Sequence, residues 1–168
     1  MKQVYEGKHI VVLDRDDWEY VERKKATEAV VVVAMTEDRE VILTEQKRRP
    51  VDAKVIDWPA GLVGDEDDAT PEETAKKELE EETGYTCKSV EFLAKGPTSP
   101  GITSEIVSFY RARGVKKEGS GGGVGGEDIT VHVVRLTEVR EWLQKKKSEG
   151  VLIDLKIWGG LYFLTGAS

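Results

Sequence analysis

Residues Trp58–Tyr85 read WPAGLVGDEDDATPEETAKKELEEETGY. Thr70-Pro71-Glu72-Glu73 opens a helix here: Thr70 can cap it, Pro71 suits its first turn, and Glu73 completes a capping box. Gly84 supplies the stop, so the helix spans about 13 residues. Ahead of it, Val55–Trp58 reads as a short strand and Pro59-Ala60-Gly61 as the turn leaving it. Residues 65–82 hold ten acidic side chains against Lys76 and Lys77, a local charge of −8 in a chain that carries −7 in all. The rest of the chain is therefore close to neutral, and the self-repulsion of this segment needs a reason.

Helix geometry narrows that reason. At about 100° per residue, with Glu78 at zero, Glu81 falls near −60° and Glu82 near +40°. Three carboxylates thus share one arc, bordered by Leu79 and Ala75 on the apolar side, while Glu80 points away. Lys77 lies four residues before Glu81, within ion-pair reach. Like charges at this spacing destabilise a bare helix. A solvated acidic face is the usual meaning of such a pattern. The alternative is a hard divalent cation, which takes carboxylate oxygens together with substrate phosphate oxygens and serves phosphoryl chemistry.

The chain has 168 residues, 39% hydrophobic and 34% charged, enough for one domain with a real core. A charge of −7 argues against a sequence-independent grip on nucleic acid, which needs a basic face. Cys87 is the single cysteine, so no intrachain disulfide forms and a cytoplasmic setting is expected. The residues after Met1 lack a signal-peptide pattern, and no apolar run approaches the roughly 20 residues that span a membrane. No internal repeat is present.

In chain order, His9–Leu13 reads as a strand, Asp14–Asp17 as a turn, and Trp18–Arg23 as a second strand completing a hairpin. Ala29–Met35 is unbroken and β-branched, the mark of a strand buried on both faces. Val41–Thr44 follows. The cations of Gln46-Lys47-Arg48-Arg49-Pro50 read as a solvated loop or as a phosphate-facing patch. Val90–Ala94 and Ile106–Ala112 are strands joined by the loop Gly96–Gly101. Lys116–Gly126 is a glycine-rich, flexible connection, equally a lid or a floppy hairpin, ending at Glu127-Asp128 before the strand Ile129–Arg135. Thr137–Lys147 is a helix capped by Thr137 and closed by three lysines. Ile153–Leu164 is a last helix, with Leu155, Trp158, Leu161, Tyr162 and Leu164 packing inward and Gly159-Gly160 weakening it. These elements give an α/β (α+β) class with a mixed sheet.

The run Lys77-Glu78-Leu79-Glu80-Glu81-Glu82-Thr83-Gly84-Tyr85, with Gly61 ahead of it, resembles the Nudix box, G-x5-E-x7-R-E-U-x-E-E-x-G-U. The half from Glu78 to Tyr85 fits without gaps. Lys77 stands where the motif has arginine, which keeps the charge and loses the bidentate fork. The spacing from Gly61 is two residues too long, so the motif's first glutamate falls on Ala69, or on Glu66 or Asp67 if the loop bulges. The acids at 65–68 then lie in a lengthened, solvated loop. Trp18-Glu19, Glu45-Gln46-Lys47-Arg48, Pro59-Ala60-Gly61-Leu62, Ser99-Pro100-Gly101 with Ser104-Glu105, and Glu127-Asp128-Ile129 are similar to the ADP-ribose pyrophosphatase branch of that family. So is Pro100, fifteen residues past Tyr85.

This resemblance implies a Nudix α/β/α sandwich over residues 29–168 and an N-terminal β subdomain over 1–28 that helps form a homodimer. It implies hydrolysis of the pyrophosphate of nucleoside diphosphate sugars with Mg2+ or Mn2+. The Ala60 carbonyl, Glu78 and Glu82 would bind metal, with Glu81 bridging metals or orienting water. Arg48 would hold a phosphate, Trp18 would stack on the base at the dimer interface, and Ser99, Gly101 and Glu105 would line the sugar-phosphate site. From the residues alone, Trp18 reads equally as a core tryptophan. Some members place the general base two residues before the Glu-Asp-Ile motif; that position is Gly125 here, so Glu127 is the nearest candidate and Glu81 the fallback. ADP-ribose giving AMP and ribose 5-phosphate is the leading expectation, GDP-mannose the near alternative. A non-catalytic Nudix-fold sensor of nucleotide sugars is the competing class. The base and sugar preferred are not legible.

Overall fold

The computed structural model describes residues 1–26, 28–64 and 68–166. Asp65, Glu66 and Asp67, most of the expected solvated loop and two of the three candidates for the motif's first glutamate, lie outside the described residues.

An antiparallel sheet comes first: β1 (Lys2–Glu6), β2 (Ile10–Arg15) and β3 (Trp18–Arg23). The β2–β3 hairpin turns at Asp16 and Asp17, both at positive φ (56° and 64°), a conformation that short polar side chains tolerate. There follow β4 (Glu28–Val33), β5 (Glu40–Arg48), β6 (Ala53–Asp57), β7 (Ala60–Val63), α1 (Pro71–Thr83), β8 (Tyr85–Thr86), β9 (Ser89–Pro97) and β10 (Ile106–Arg113). The chain ends with β11 (Lys116–Lys117), β12 (Ile129–Arg135), α2 (Val139–Ser148), β13 (Leu152–Ile153) and α3 (Lys156–Thr165). One sheet runs β7-β4-β10-β9, with β4 and β10 parallel; a second runs β12-β5-β6-β13, with β6 and β13 parallel.

Strand β4 shows why helices cover both faces. Val31 and Val33 point into one cluster with Leu43, Ile56, Trp58, Leu143, Ile157 and Leu161, beneath α2 and α3. Val30 and Val32 point into the other with Ile42, Ala75, Leu79 and Tyr110, beneath α1. A strand alternates its side chains, so a continuous valine run requires apolar cover on both sides. The expected capping box on α1 is present, with Thr70 Oγ accepting from the Glu73 amide and the Glu73 carboxylate accepting from the Thr70 amide. Gly84 ends the helix at φ 69°.

Several elements differ from the sequence reading. Lys47 and Arg48 are solvent-exposed as expected but form the end of β5, paired with β6, rather than a loop, and Arg49 begins the short 3-10 turn Arg49–Val51. Ala60-Gly61 are not a turn but open β7, which pairs with β4. Thr137 does not cap α2, which Glu138 precedes without a side-chain cap; the three lysines of its last turn are as expected. Helix α3 buries Ile157, Gly160, Leu161 and Leu164, while Leu155 (81% exposed), Trp158 (45%) and Tyr162 (55%) face outward. Trp18 is 61% exposed and is no core tryptophan.

The glycine-rich connection is tied down against the end of α1 rather than left as a free hairpin. Glu118 and Gly119 N–H donate to the Gly84 carbonyl, Gly122 N–H to Glu82 O at 2.8 Å and Gly123 N–H to Glu81 O at 3.1 Å. Lys117 Nζ donates to Thr83 O at 2.7 Å. The carbonyls that a helix leaves unpaired at its C-terminus are thereby satisfied. Glycine is needed for the approach: a Cβ on Gly121 would lie 2.3 Å from the Thr83 carbonyl carbon.

A buried ionic hub ties α2 to the second sheet. Glu45 of β5 accepts from Lys146 Nζ at 2.8 Å and Lys54 Nζ at 2.9 Å, and His132 Nε2 of β12 stands 2.9 Å away. An ionised carboxylate only accepts, so Nε2 carries the proton. Burial raises the Glu45 pKa, but hydrogen bonds from Lys146, Lys54 and His132 outweigh it and hold the group at about 2 rather than 4.5. A carboxyl depressed in the folded state stabilises above its unfolded pKa and stops doing so as pH falls through the folded one. Thermal stability is therefore expected to drop between about pH 4.5 and about pH 2, with Glu45→Gln flattening that slope in melts recorded across the range.

Candidate active site

The C-terminal half of α1, the β6–β7 junction and the end of β5 open onto a cavity of about 1070 Å3. Its polar end gathers Arg48, Ala60, Gly61, Lys77, Glu78, Glu81, Glu82 and Glu127. The register of β7 against α1 builds this end. The Glu78 side chain lies on the backbone of Gly61, where an added Cβ would fall 1.8 Å from Oε1, so any side chain at 61 would displace the Glu78 carboxylate. Glu82 is 6% exposed and accepts a hydrogen bond from the Ala60 N–H at 3.1 Å. Two of the three carboxylates thus bracket the Ala60–Gly61 backbone. Glu81 is half-buried on the cavity wall, and Glu80 is exposed, as the helical projection places them.

The electrostatics are those of an acidic pocket. Burial pushes the Glu82 carboxyl up to about 8; the Ala60 N–H opposes the rise, the charges of Glu78 and Glu127 add to it, and Arg48 opposes it. Glu127 and Arg48 therefore act on Glu82 from within the same pocket. Glu127 is exposed at the rim, its carboxylate accepting from Val124 N–H at 3.3 Å. The bonds from Gly122 and Gly123 to Glu82 and Glu81 fix the segment that carries it.

Hard carboxylate oxygens and a backbone carbonyl are the donors that Mg2+ and Mn2+ take, and a cation would relieve the repulsion that raises Glu82, so the residues fit such an ion. Among the described residues no three acidic, histidine or cysteine side chains stand close enough to share one ion as placed.

The remaining expected residues are spread more widely. Glu105 lines the cavity, but its carboxylate accepts from Arg23 Nε at 2.7 Å. Ser99, Gly101 and Trp18 lie outside the cavity lining. Ser99 O receives the amides of Ile102 and Thr103, and Gly101 O receives the Trp18 indole N–H at 3.2 Å. That last bond, with Val21 N–H to Ile102 O at 2.8 Å, ties the N-terminal sheet to the β9–β10 loop. Sequence reasoning missed Arg23, Phe109, Asp57 and Lys156, which also line the cavity. For the last two a signal existed: each is a charge embedded in an apolar run, and a buried charge needs a partner.

The NUDIX domain model matches residues 25–154. A methanol dehydrogenase activator of Bacillus methanolicus is 34% identical over 87% of this chain and 82% of its own. A GDP-mannose pyrophosphatase of Cronobacter sakazakii is 32% identical over 86% and 78%. An ADP-ribose pyrophosphatase of Bacillus subtilis is 42% identical over 50% of this chain and 44% of its own length. The crystal structure of an ADP compounds hydrolase superposes with a TM-score of 0.66 over 85% of this chain and 80% of that one, at 20% identity, a likeness of fold. The chain belongs to the Nudix family, whose hydrolases work with divalent metal ions. The expected α/β/α fold and the reading as a hydrolase of that family are met. Among the described residues no helix is long and apolar enough to cross a membrane.

Proposed function

We propose that the chain hydrolyses the pyrophosphate bond of a nucleoside diphosphate sugar with Mg2+, or Mn2+ in its place, turning ADP-ribose into AMP and ribose 5-phosphate. The observation that carries this reading is the bracketing of the Ala60–Gly61 backbone by Glu78 and Glu82 in a cavity that also holds Arg48 and Glu127. Ala60 O, Glu78 and Glu82 would hold the metal, which when bound supplies a Lewis acid and an activated water. Glu81 would be a bridging metal ligand or would orient that water. Arg48 takes a phosphate oxygen in charge-assisted hydrogen bonds. Glu127 accepts the proton from the water, or is a further metal ligand, with Glu81 the alternative base. The water oxygen bonds to one phosphorus as the bridging P–O bond breaks, and two monophosphates leave. GDP-mannose is the near alternative, in keeping with the Cronobacter relative.

The N-terminal segment 1–28 acts in this reading as a dimerising subdomain ahead of the catalytic unit 29–168, in a cytoplasmic protein. Exposed Val4, Tyr5, Ile10 and Trp18 support the dimer, with the open face of the Trp18 indole left for a base. Sedimentation showing a single chain per particle would contradict it. Ser99, Gly101 and Glu105 are proposed for the sugar-phosphate site.

The test is a panel of nucleotide sugars with Mg2+ and chromatographic identification of products. Turnover of ADP-ribose or GDP-mannose to two monophosphates is expected; no turnover of any member by folded protein would end the proposal. A second reading, binding a nucleotide sugar without turnover and acting on a partner enzyme, is favoured by the relative named as an activator. Calorimetry showing binding without product would select it.

A further inference from the structure

Strand β6 ends in a buried charge. Asp57 is 5% exposed, between Ile56 at 0% and Trp58 at 1%. A carboxylate in that position must be paired or bonded. Its Oδ1 accepts the Trp58 N–H at 2.9 Å, and its Oδ2 stands 2.9 Å from Lys156 Nζ. The same ammonium stands 2.6 Å from Asp154 Oδ2. Lys156 is the first residue of α3, and its carbonyl accepts the Trp58 indole N–H at 3.2 Å. One residue of α3 thus grips both Asp57 and Trp58, by side chain and by backbone.

The grip continues toward the metal-binding end of the cavity. Pro59 O accepts the Val32 N–H at 2.8 Å, and the Ala60 N–H is bound by Glu82. Every residue from Asp57 to Ala60 is pinned. The carbonyl of Ala60 and the seat of Glu78 on Gly61 follow directly, with no slack in the chain between.

We propose that Lys156 is a positioning residue for the divalent-metal site. Held between Asp154 and Asp57, it sets the end of β6 so that the Ala60 carbonyl stays in register with Glu78 and Glu82. This rests on the reading that those groups hold a divalent cation. Lys156 is not a catalytic residue: it acts through Asp57 and the β6–β7 backbone.

The experiment measures Mn2+ binding to the purified chain without substrate, from the electron paramagnetic resonance signal of free Mn2+, alongside kcat, KM and melting temperature. Lys156→Met should weaken Mn2+ binding by about 10- to 100-fold, the usual cost of removing a support behind metal ligands, while Lys156→Arg restores most of the affinity. At fixed Mg2+, kcat should fall and recover as Mg2+ is raised, with KM for the nucleotide sugar little changed. Should Lys156→Met fail to fold, Asp57→Asn/Lys156→Met removes both buried charges together and should show the same loss of affinity. Unchanged Mn2+ affinity in a folded variant, or a rise in KM alone, would overturn the proposal and make Lys156 a structural or a substrate-contacting residue. Wild-type chain that binds no Mn2+ would instead overturn the metal reading beneath it.

Discussion

Glu82→Gln is expected to abolish hydrolysis and leave the fold intact. Glutamine matches the shape of glutamate, and its Oε1 can still accept from the Ala60 N–H that Glu82 binds at 3.1 Å. What disappears is the capacity to ionise when a cation is present, in a buried acidic cluster where burial and then Glu78 and Glu127 push the carboxyl up to about 8. Without metal the variant should melt no lower than wild type, because a group that resists ionisation contributes little by its charge. With metal the balance reverses. A loss of about 10³-fold in kcat is expected, the scale on which a single group stabilising transition-state charge acts. Mg2+ should raise the wild-type melting temperature by mass action and leave that of the variant unmoved. Steady-state kinetics and paired melts with and without Mg2+ check both halves. A variant retaining most of its kcat would remove Glu82 from the site.

The second large effect separates two adjacent glycines of α3. A Cβ on Gly160 would lie 2.3 Å from Trp58 Nε1 and 2.4 Å from Cε2. Trp58 cannot yield, being 1% exposed with its indole N–H bound to the Lys156 carbonyl. Gly160→Ala should therefore cost about 3 kcal/mol, the upper part of the range for overpacking a close-packed core. In a chain of this size that lowers the melting temperature by roughly 10 °C. A Cβ on Gly159 meets only Phe109, at 3.6 Å. Gly159→Ala should be neutral or stabilise by up to about 1 kcal/mol, because alanine is the better helix former. Thermal melts of the two single variants measure the contrast, and equal shifts would contradict the packing described.

The sequence was most legible where local chemistry governs. Thr70, Glu73 and Gly84 set the ends of α1 through bonds within a few residues, and the Val30–Val33 run announced a strand covered on both faces. The reading failed where a distant partner decides. Proline and glycine at 59–61 signal a turn, yet the edge of β4 draws Ala60–Val63 into a strand. The Gly121–Gly123 run looks mobile by composition, but Gly121 is required by its close approach to the end of α1 and Gly123 lies against the Glu127 side chain, and composition cannot distinguish chain entropy from such contacts. In α3, apolar spacing alone does not say which face meets the sheet: it turns Leu155, Trp158 and Tyr162 inward and makes Gly160 a weakness, where the fold does the opposite. At the site, helical spacing alone placed Glu78, Glu81 and Glu82 on one arc. The Arg23 pairing with Glu105 and the Lys156 grip on Asp57 join residues 82 and 99 positions apart, separations no local pattern reaches.

The most direct test of the central claim is the fate of solvent oxygen. The chain is incubated with Mg2+ and ADP-ribose, or GDP-mannose, in water enriched in 18O, and the products are weighed by mass spectrometry. Pyrophosphate hydrolysis by a site-held water predicts two monophosphates, with one 18O in the phosphate of one product and none in the other. Absence of products, or release of an intact nucleoside diphosphate with the label on the sugar carbon, would contradict it.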